Sequence, residues 1–159
     1  MFAIQQLKDG YSALGMNSIS LIIVDDDPGV REALRMLAID LGADILGEAD
    51  NGRGAIEQAE LHHPQMMLLD VSMPVMGGLP AAKYLREHVP EMRIIVISQY
   101  SLKVYAEEAL QLGIKGYIVK AAVATELGPA MDAVMHGQTF VSPRIRASES
   151  LKSNSAGRN

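Results

Sequence analysis

Residues 66–70 read Met66-Met67-Leu68-Leu69-Asp70, an uninterrupted apolar run that ends in a single carboxylate. Successive side chains of a strand point to opposite faces of its sheet, so a run without polar positions predicts a strand covered on both faces. Parallel sheets with crossover helices are covered in this way. The stretch therefore predicts an α/β protein with a parallel sheet.

Three further uninterrupted runs of this kind occur along the chain, at residues 21–24, 94–97 and 116–119, and residues 45–49 (ILGEA), which include Glu48, are also predicted as a strand. Segments with apolar residues at helical spacing alternate with them, over residues 30–41, 52–61, 79–88, 102–112 and 125–136. This alternation predicts (βα)5, a doubly wound parallel five-stranded sheet with helices on both faces. We expect Pro129 to shorten the start of the last helix, or to kink that helix if it begins earlier.

Composition limits the kinds of protein that these 159 residues can form. The chain has no cysteine, which excludes disulfides, zinc–thiolate sites and thiol catalysis. No apolar run approaches the roughly 20 residues of a membrane span. The N-terminal segment holds no apolar signal region, so we expect a cytoplasmic protein without membrane contact. The net charge is −5, and an acidic body argues against direct binding of nucleic-acid phosphates.

A distinctive polar residue follows four of the five predicted strands. Asp25 and Asp26 follow the first strand, Asp70 the third, Ser98 the fourth and Lys120 the fifth. The carboxyl ends of parallel strands meet at one edge of a sheet, so we expect these side chains to lie together. Three crowded carboxylates repel one another, and a hard divalent cation such as Mg²⁺, with the lysine beside it, would offset that repulsion.

Four segments of the chain resemble the receiver domain of two-component response regulators. They are Ile22–Pro28 (IIVDDDP), Leu68–Gly78 (LLDVSMPVMGG), Ile95–Ser98 (IVIS) and Lys115–Lys120 (KGYIVK). Each segment lies at the predicted strand end that the family pattern requires, and the four segments occur along the chain in the same order as in the family. The resemblance covers residues 19–137 and implies the flavodoxin-like strand order 2-1-3-4-5.

The resemblance implies a phosphoacceptor and a metal site. Asp70 would take a phosphoryl group from a sensor histidine kinase, and no enzyme that turns over a substrate is expected. Asp26 and Asp70 would bind Mg²⁺ directly, with the backbone carbonyl of Ser72 as a third ligand and Asp25 acting through water.

Two further positions would bind the phosphoryl oxygens, and a third would respond to them. Lys120 would pair with one oxygen and the Ser98 hydroxyl would bond to another, as positioning and charge neutralisation require. Tyr117 matches the aromatic switch position of the family and would lie on the face away from Lys120 or at the sheet edge. We expect phosphorylation to draw the Ser98 hydroxyl toward Asp70, and Tyr117 to fill the space that Ser98 leaves. These movements would change the surface formed by residues 101–136, and the changed surface could form a homodimer.

The lifetime of the phosphoryl group depends on two more residues in this family. The positions two beyond the acceptor and two beyond the hydroxyl residue flank the path of the hydrolytic water; here they are Ser72 and Tyr100. Receivers that lose phosphate quickly carry an amide or an acid there. Ser72 is short and Tyr100 is bulky, so we expect slow self-dephosphorylation. In the alternative, Tyr100 points to solvent and has no effect.

The C-terminal region predicts the output. Ala121 stands where many receivers have a proline, and residues 137–143 (GQTFVSP) resemble the subfamily with a C-terminal helix-turn-helix DNA-binding domain. That resemblance implies control of transcription, but Asn159 comes too soon for those helices, so DNA would be bound only through an output domain absent from this chain. We expect a flexible N-terminal extension over residues 1–17, the receiver over 18–138 and a linker-like tail over 139–159.

Two other functions stay open at this point. A Mg²⁺-dependent aspartyl phosphatase of the haloacid-dehalogenase type also uses an aspartate nucleophile in an α/β fold. Such an enzyme needs a second aspartate two residues after the first, where this chain has Ser72. It would turn over many phosphomonoesters, whereas a receiver is labelled once. An interaction module that kept the site without using it would bind Mg²⁺ weakly and take up no phosphoryl group.

Overall fold

The structure of the protein, a computed structural model, describes residues 18–145. Its strands are β1 (Ser20–Val24), β2 (Asp44–Ala49), β3 (Met66–Leu69), β4 (Arg93–Ser98), β5 (Gly116–Val119) and β6 (Phe140–Val141). Its helices are α1 (Pro28–Asp40), α2 (Gly52–His62), α3 (Gly78–His88), α4 (Lys103–Gln111) and α5 (Val123–Met135), with a 3₁₀ helix at Lys120–Ala122. None of the helices described is both long and apolar enough to cross a membrane. The predicted extension over 1–17 and residues 146–159 of the predicted tail lie outside the described residues.

The strands form one parallel sheet in the order β2-β1-β3-β4-β5-β6. This confirms the doubly wound arrangement and the order of the five predicted strands. The sheet also has a sixth strand, because Phe140–Val141, at the start of the predicted tail, pairs with β5. A two-residue strand is too short to show a period, so the sequence pattern could not reveal it.

Two apolar cores lie on opposite faces of this sheet. The helices α2, α3 and α4 pack on one face, where Ile22 contacts the same core as Ala59. The helices α1 and α5 pack on the other face, which contains Ile23, Leu34 and Met131. Since both faces are covered, every residue of β3 is buried, as its unbroken apolar sequence predicted.

The ends of the helices follow local chemistry. The side chain of Asp27 caps α1 by accepting hydrogen bonds from the backbone N–H groups of Gly29 and Val30. Helix α5 begins at Val123, earlier than predicted, because the chain passes into it directly from the 3₁₀ helix after β5. Pro129 therefore lies inside the helix and leaves the carbonyl of Thr125 without its usual N–H donor. Both residues are exposed, so water can satisfy that carbonyl.

The strand order positions the functional edge of the sheet. From β1 the chain moves to β2 on one side, whereas β3 pairs with β1 on the other side. A crevice forms at such a reversal, because the crossover helices leave on opposite faces of the sheet. Asp25 and Asp70 directly follow the two strands that meet at this reversal.

Candidate functional site

Asp25 is the first residue after β1, and only 1% of its surface is exposed. The backbone N–H of Asp27 donates to its Oδ1 at 2.9 Å, and the Nζ of Lys120 lies 2.8 Å from its Oδ2. The Nη1 of Arg31 donates to its main-chain carbonyl at 2.7 Å. The buried carboxylate is thus held in place by a charge-assisted pair and an N–H donor.

Asp70 is the first residue after β3, and it is also buried. The backbone N–H of Val71 donates to its Oδ1 at 2.8 Å, and the Nζ of Lys120 lies 3.4 Å from the same oxygen. Lys120 begins the 3₁₀ helix after β5. One ammonium group therefore contacts two carboxylates that follow two different strands.

Burial and charge act in opposite directions on the ionisable groups of this site. Burial raises the pKa of Asp70, the charge of Asp25 raises it further, and Lys120 offsets these effects only in part. Burial alone would lower the pKa of Lys120, but its hydrogen bond to Asp25 and the charges of both aspartates outweigh burial and raise that pKa. The lysine therefore stays charged at neutral pH, and an additional cation would favour the ionised form of Asp70.

The residues present fit a hard divalent cation. Carboxylate oxygens of Asp25, Asp26 and Asp70 lie within 4.8 Å of one another, with Asp26 exposed and the other two buried. All three donors are oxygens, and Lys120 balances only one of three negative charges. Mg²⁺ is bound in proteins by one or two carboxylates together with water and phosphate oxygens. The donor set therefore suits the predicted metal in both ligand type and charge.

Ser98 and Tyr117 line the adjacent part of the sheet. Ser98 is buried at the end of β4, and its Oγ accepts a hydrogen bond from the backbone N–H of Tyr100 at 3.1 Å. The ring of Tyr117 is buried, and its hydroxyl donates to the main-chain carbonyl of Tyr100 at 2.9 Å. Tyr117 does not lie at the sheet edge, since β6 pairs with the outer side of β5. Both side chains therefore converge on the start of the loop that follows β4.

Tyr100 joins the loops after β3 and β4. Its hydroxyl accepts a hydrogen bond from Ser72 Oγ at 3.2 Å, and its ring stacks on Tyr105 with centroids 4.7 Å apart. Tyr100 is half-exposed, so its ring is partly covered in this arrangement, and its effect on hydrolysis stays a prediction. The two residues that were predicted to flank the hydrolytic water thus contact each other.

Sequence reasoning missed two residues that support the site. Arg31 follows Asp25 by six residues, which places it in the first turn of α1 with its guanidinium on the Asp25 carbonyl. Tyr105, in the first turn of α4, supports the ring of Tyr100. Tyr105 could have been found from the sequence, because it and Tyr100 lie on either side of the start of a predicted helix. Arg31 could not, because a single arginine in a predicted helix indicates no particular contact.

The sequence matches a known family over most of its length. A family model described as the response regulator receiver domain matches residues 21–132. Response regulator GacA of Pseudomonas syringae pv. syringae is 36% identical over 137 residues, which cover 85% of this chain and 64% of the relative. The chain therefore spans less than two thirds of that relative's length.

Solved structures are similar over the same region. The signal receiver domain of the putative response regulator NarL from Mycobacterium tuberculosis is 31% identical, with a TM-score of 0.71, and the match covers 77% of this chain and 99% of that one. The RcsB response regulator of Salmonella typhimurium, described for its conformational dynamism in DNA interaction, is 26% identical, with a TM-score of 0.77. That match covers 83% of this chain and 67% of RcsB.

The substitution Gly78→Ala is expected to disturb the site through the backbone. A Cβ at residue 78 would lie 1.9 Å from the carbonyl oxygen of Asp70 and 3.0 Å from the Cα of Val71, and neither atom can rotate away. We expect the free energy of unfolding, measured by urea denaturation, to fall by about 3 kcal/mol. Gly137→Ala is the control, because its Cβ meets nothing within 4 Å and only its φ of +75° is strained, at about 1 kcal/mol. Equal losses in the two variants would contradict the prediction.

Proposed function

The chain belongs to the response regulator receiver domain family of two-component systems, and on that premise we propose that Asp70 accepts a phosphoryl group from a sensor histidine kinase in the presence of Mg²⁺. The observation that carries the proposal is the contact of one lysine, Lys120, with the buried carboxylates of Asp25 and Asp70 at the strand-order reversal. A lone buried aspartate would lack the positive charge that a developing phosphoryl transition state requires.

The proposed reaction is a displacement at phosphorus. A carboxylate oxygen of Asp70 forms a bond to phosphorus, and the bond from phosphorus to the donor group breaks with its electron pair leaving on the donor. Val71 and Lys120 hold the Asp70 carboxylate in one orientation before the reaction. Positioning of this kind, with neutralisation of the equatorial oxygens, is the main source of catalysis in phosphoryl transfer.

The Mg²⁺ would be held by Asp26 and Asp70, by the backbone carbonyl of Ser72, and by Asp25 through water. Bound there, it supplies positive charge to the phosphoryl oxygens and relieves the repulsion among the carboxylates. Lys120 then moves its ammonium from Asp25 toward a phosphoryl oxygen, which its flexible stem allows. Ser98 donates its hydroxyl to a further phosphoryl oxygen.

The phosphatase alternative loses its support in this site. Its general acid would stand two residues after Asp70, and the Ser72 hydroxyl at that position is too weak an acid to replace a carboxyl group. Family membership points in the same direction, since the matched family consists of receivers. Both points favour a phosphoacceptor over an enzyme that turns over phosphomonoesters.

Asp70→Asn is expected to abolish labelling by acetyl phosphate in the presence of Mg²⁺, because the amide is a poor nucleophile and a poor metal ligand. Intact-mass spectrometry should show one added phosphoryl group in the wild type and none in the variant. Asp40→Asn is the matched control, because Asp40 is exposed at the end of α1 and should label like the wild type. Labelling of Asp70→Asn at the wild-type rate would refute the assignment of the phosphoacceptor.

We also propose that the phosphorylated form is long-lived. A hydrolytic water must approach phosphorus opposite the Asp70 oxygen. The hydrogen bond from Ser72 to Tyr100 and the stacking of Tyr100 on Tyr105 favour a covered approach. Neither Ser72 nor Tyr100 supplies a carboxylate or amide that would orient the water.

The double substitution Ser72→Asn and Tyr100→Glu is expected to shorten the lifetime of the phosphoryl group by up to about ten-fold, which is ~1.4 kcal/mol of barrier. The loss of label after removal of the phosphodonor measures that lifetime. A control with Ser101→Asn and Leu102→Glu adds the same groups at exposed positions of the same loop and should leave the lifetime unchanged. A double variant no faster than the wild type would reject this explanation of the lifetime.

The proposed switch involves Ser98 and Tyr117. In this arrangement Tyr117 is buried and its hydroxyl donates to the carbonyl of Tyr100, the residue whose N–H donates to Ser98, which supports a role for both side chains in the switch. We propose that the phosphoryl group stabilises this arrangement by drawing the Ser98 hydroxyl toward Asp70. The fraction of molecules in this arrangement then determines the conformation of the surface formed by α4, β5 and α5, over residues 101–136. That surface in turn controls homodimerisation.

Ser98→Ala is expected to be phosphorylated but to lose the response of that surface, because the variant lacks the hydroxyl that links the phosphoryl group on Asp70 to the surface. Amide hydrogen exchange over residues 101–136, with and without acetyl phosphate, measures the response, and light scattering under the same conditions measures dimerisation. Ser101→Ala, at an exposed position of the same loop, should respond like the wild type. An unchanged response in phosphorylated Ser98→Ala would exclude this coupling.

The output is proposed to be control of transcription in the cytoplasm. The similarity to RcsB, described for DNA interaction, supports this proposal. The chain carries a net charge of −5, so DNA would be contacted through a separate output domain and not through the receiver body.

A further inference from the structure

Ser142 is a fully buried polar residue that the proposed function does not use. It lies directly after β6, and its backbone N–H donates to the carbonyl of Tyr117 at 2.9 Å. Its Oγ accepts a hydrogen bond from the backbone N–H of Val119 at 2.9 Å, and its hydroxyl donates to the carboxylate of Glu126. One side chain therefore connects the end of β5 to α5.

The Ser142 hydroxyl continues the hydrogen bonding between β5 and β6 after β6 has ended. The N–H groups of Phe140 and Ser142 bond to the carbonyls of Lys115 and Tyr117, as in a parallel ladder. The N–H of Val119 would next bond to the main-chain carbonyl of Ser142, but the chain turns into helical backbone at Pro143 and that carbonyl accepts from the N–H of Ile145 instead. The Oγ of Ser142 takes the place of that carbonyl. Without it, the N–H of the buried Val119 would lose the partner that it has here.

Val119 is also the residue that leads into the phosphorylation site. Its register partner on β4 is Ser98, so the end of β5 lies between Ser98 on one side and Ser142 on the other. The next residue is Lys120, whose Nζ contacts both Asp25 and Asp70. The position of the Lys120 backbone decides which oxygens its ammonium can reach, and Ser142 restrains that backbone through the adjacent peptide.

The segment that carries Ser142 is docked on the body of the protein. Phe140 and Val141 pair with β5, and the side chain of Ile145 is buried in the same apolar core as Tyr117 and Val119. Docking of residues 140–145 and the geometry at the end of β5 therefore depend on the same contacts.

We propose that Ser142 is a positioning residue for Lys120, and that it couples phosphorylation of Asp70 to the docking of residues 140–145. The proposal rests on the proposed function of Asp70. Linkage makes the coupling reciprocal: if docking of the segment favours the phosphorylated state, phosphorylation favours docking to the same extent. Through this coupling, the position of residues 140–145 would transmit the phosphorylation state of Asp70 to the chain that continues beyond residue 145.

The test compares the wild-type chain with Ser142→Ala and with Met92→Ala, a destabilising control outside residues 140–145. The rate of labelling by acetyl phosphate with Mg²⁺ is measured for each protein at the same interval below its thermal midpoint. Ser142→Ala is expected to slow labelling by about five-fold, because the Lys120 ammonium loses its fixed starting position. Met92→Ala removes a buried side chain from the apolar core under α2, α3 and α4, but at the opposite end of β4 from Ser98 and outside residues 140–145, so its rate should stay within about two-fold of the wild type.

Amide exchange gives a readout that stability alone would not change. In the wild type, beryllofluoride with Mg²⁺, a mimic of the phosphoryl group, is expected to slow exchange at residues 140–142, and Ser142→Ala should lose this response. Glu126→Ala is a second variant with an intact serine, and it should slow labelling in the same direction but less. If Ser142→Ala does not fold, Glu126→Ala replaces it in the comparison.

Three results separate the two proposals. A wild type that neither takes up label nor responds to beryllofluoride overturns the proposed function, and the coupling with it. A labelled wild type beside variants at Ser142 and Glu126 with the wild-type rate and exchange response overturns the coupling alone. Equal slowing in Ser142→Ala and Met92→Ala shows an effect of stability only, and it also overturns the positioning role.

Discussion

The ammonium of Lys120 lies between two buried carboxylates, and the arrangement of the functional edge depends on this contact. Buried charges are costly unless they are paired and hydrogen-bonded. Asp25 and Asp70 share the same cation, and each also accepts a backbone N–H. The remaining excess of negative charge makes the site receptive to a divalent cation. The ion pair with Lys120 offsets part of the cost of burying the two carboxylates and leaves further negative charge for such a cation to neutralise.

The sheet supplies the geometry that this contact needs. Asp25 and Asp70 follow adjacent strands on either side of the strand-order reversal, and Lys120 follows β5, two strands away from β3. The long side chain of Lys120 spans this distance from the end of β5 and contacts both carboxylates. The apolar cores on the two faces fix the relative heights of the strand ends, since β1 and β3 are buried along almost their whole length.

The last described segment extends this framework beyond the five βα units. By pairing with β5, β6 covers what would have been an open edge of the sheet. It also places Ser142 against the residue that precedes Lys120 and Ile145 against the core that contains Tyr117. The segment that leads to the C-terminal part of the chain is thus part of the receiver body, and its attachment includes the strand that carries the lysine and the tyrosine of the site.

The sequence by itself determined the class of fold and most of the site. Unbroken apolar runs such as Met66–Leu69 identify strands buried on both faces, and the polar residue after each run must lie at the common edge of a parallel sheet. Asp25, Asp26, Asp70, Ser98 and Lys120 could therefore be named in advance, because their placement follows from local periodicity and chain direction. Tertiary structure alone decided the contacts between distant loops. The hydrogen bond of Ser72 to Tyr100, the support of Tyr100 by Tyr105, the strand at Phe140–Val141 and the burial of Ser142 depend on packing between segments far apart in the chain. A two-residue strand or a single serine leaves no periodic signal, since its partners are chosen by the assembled sheet.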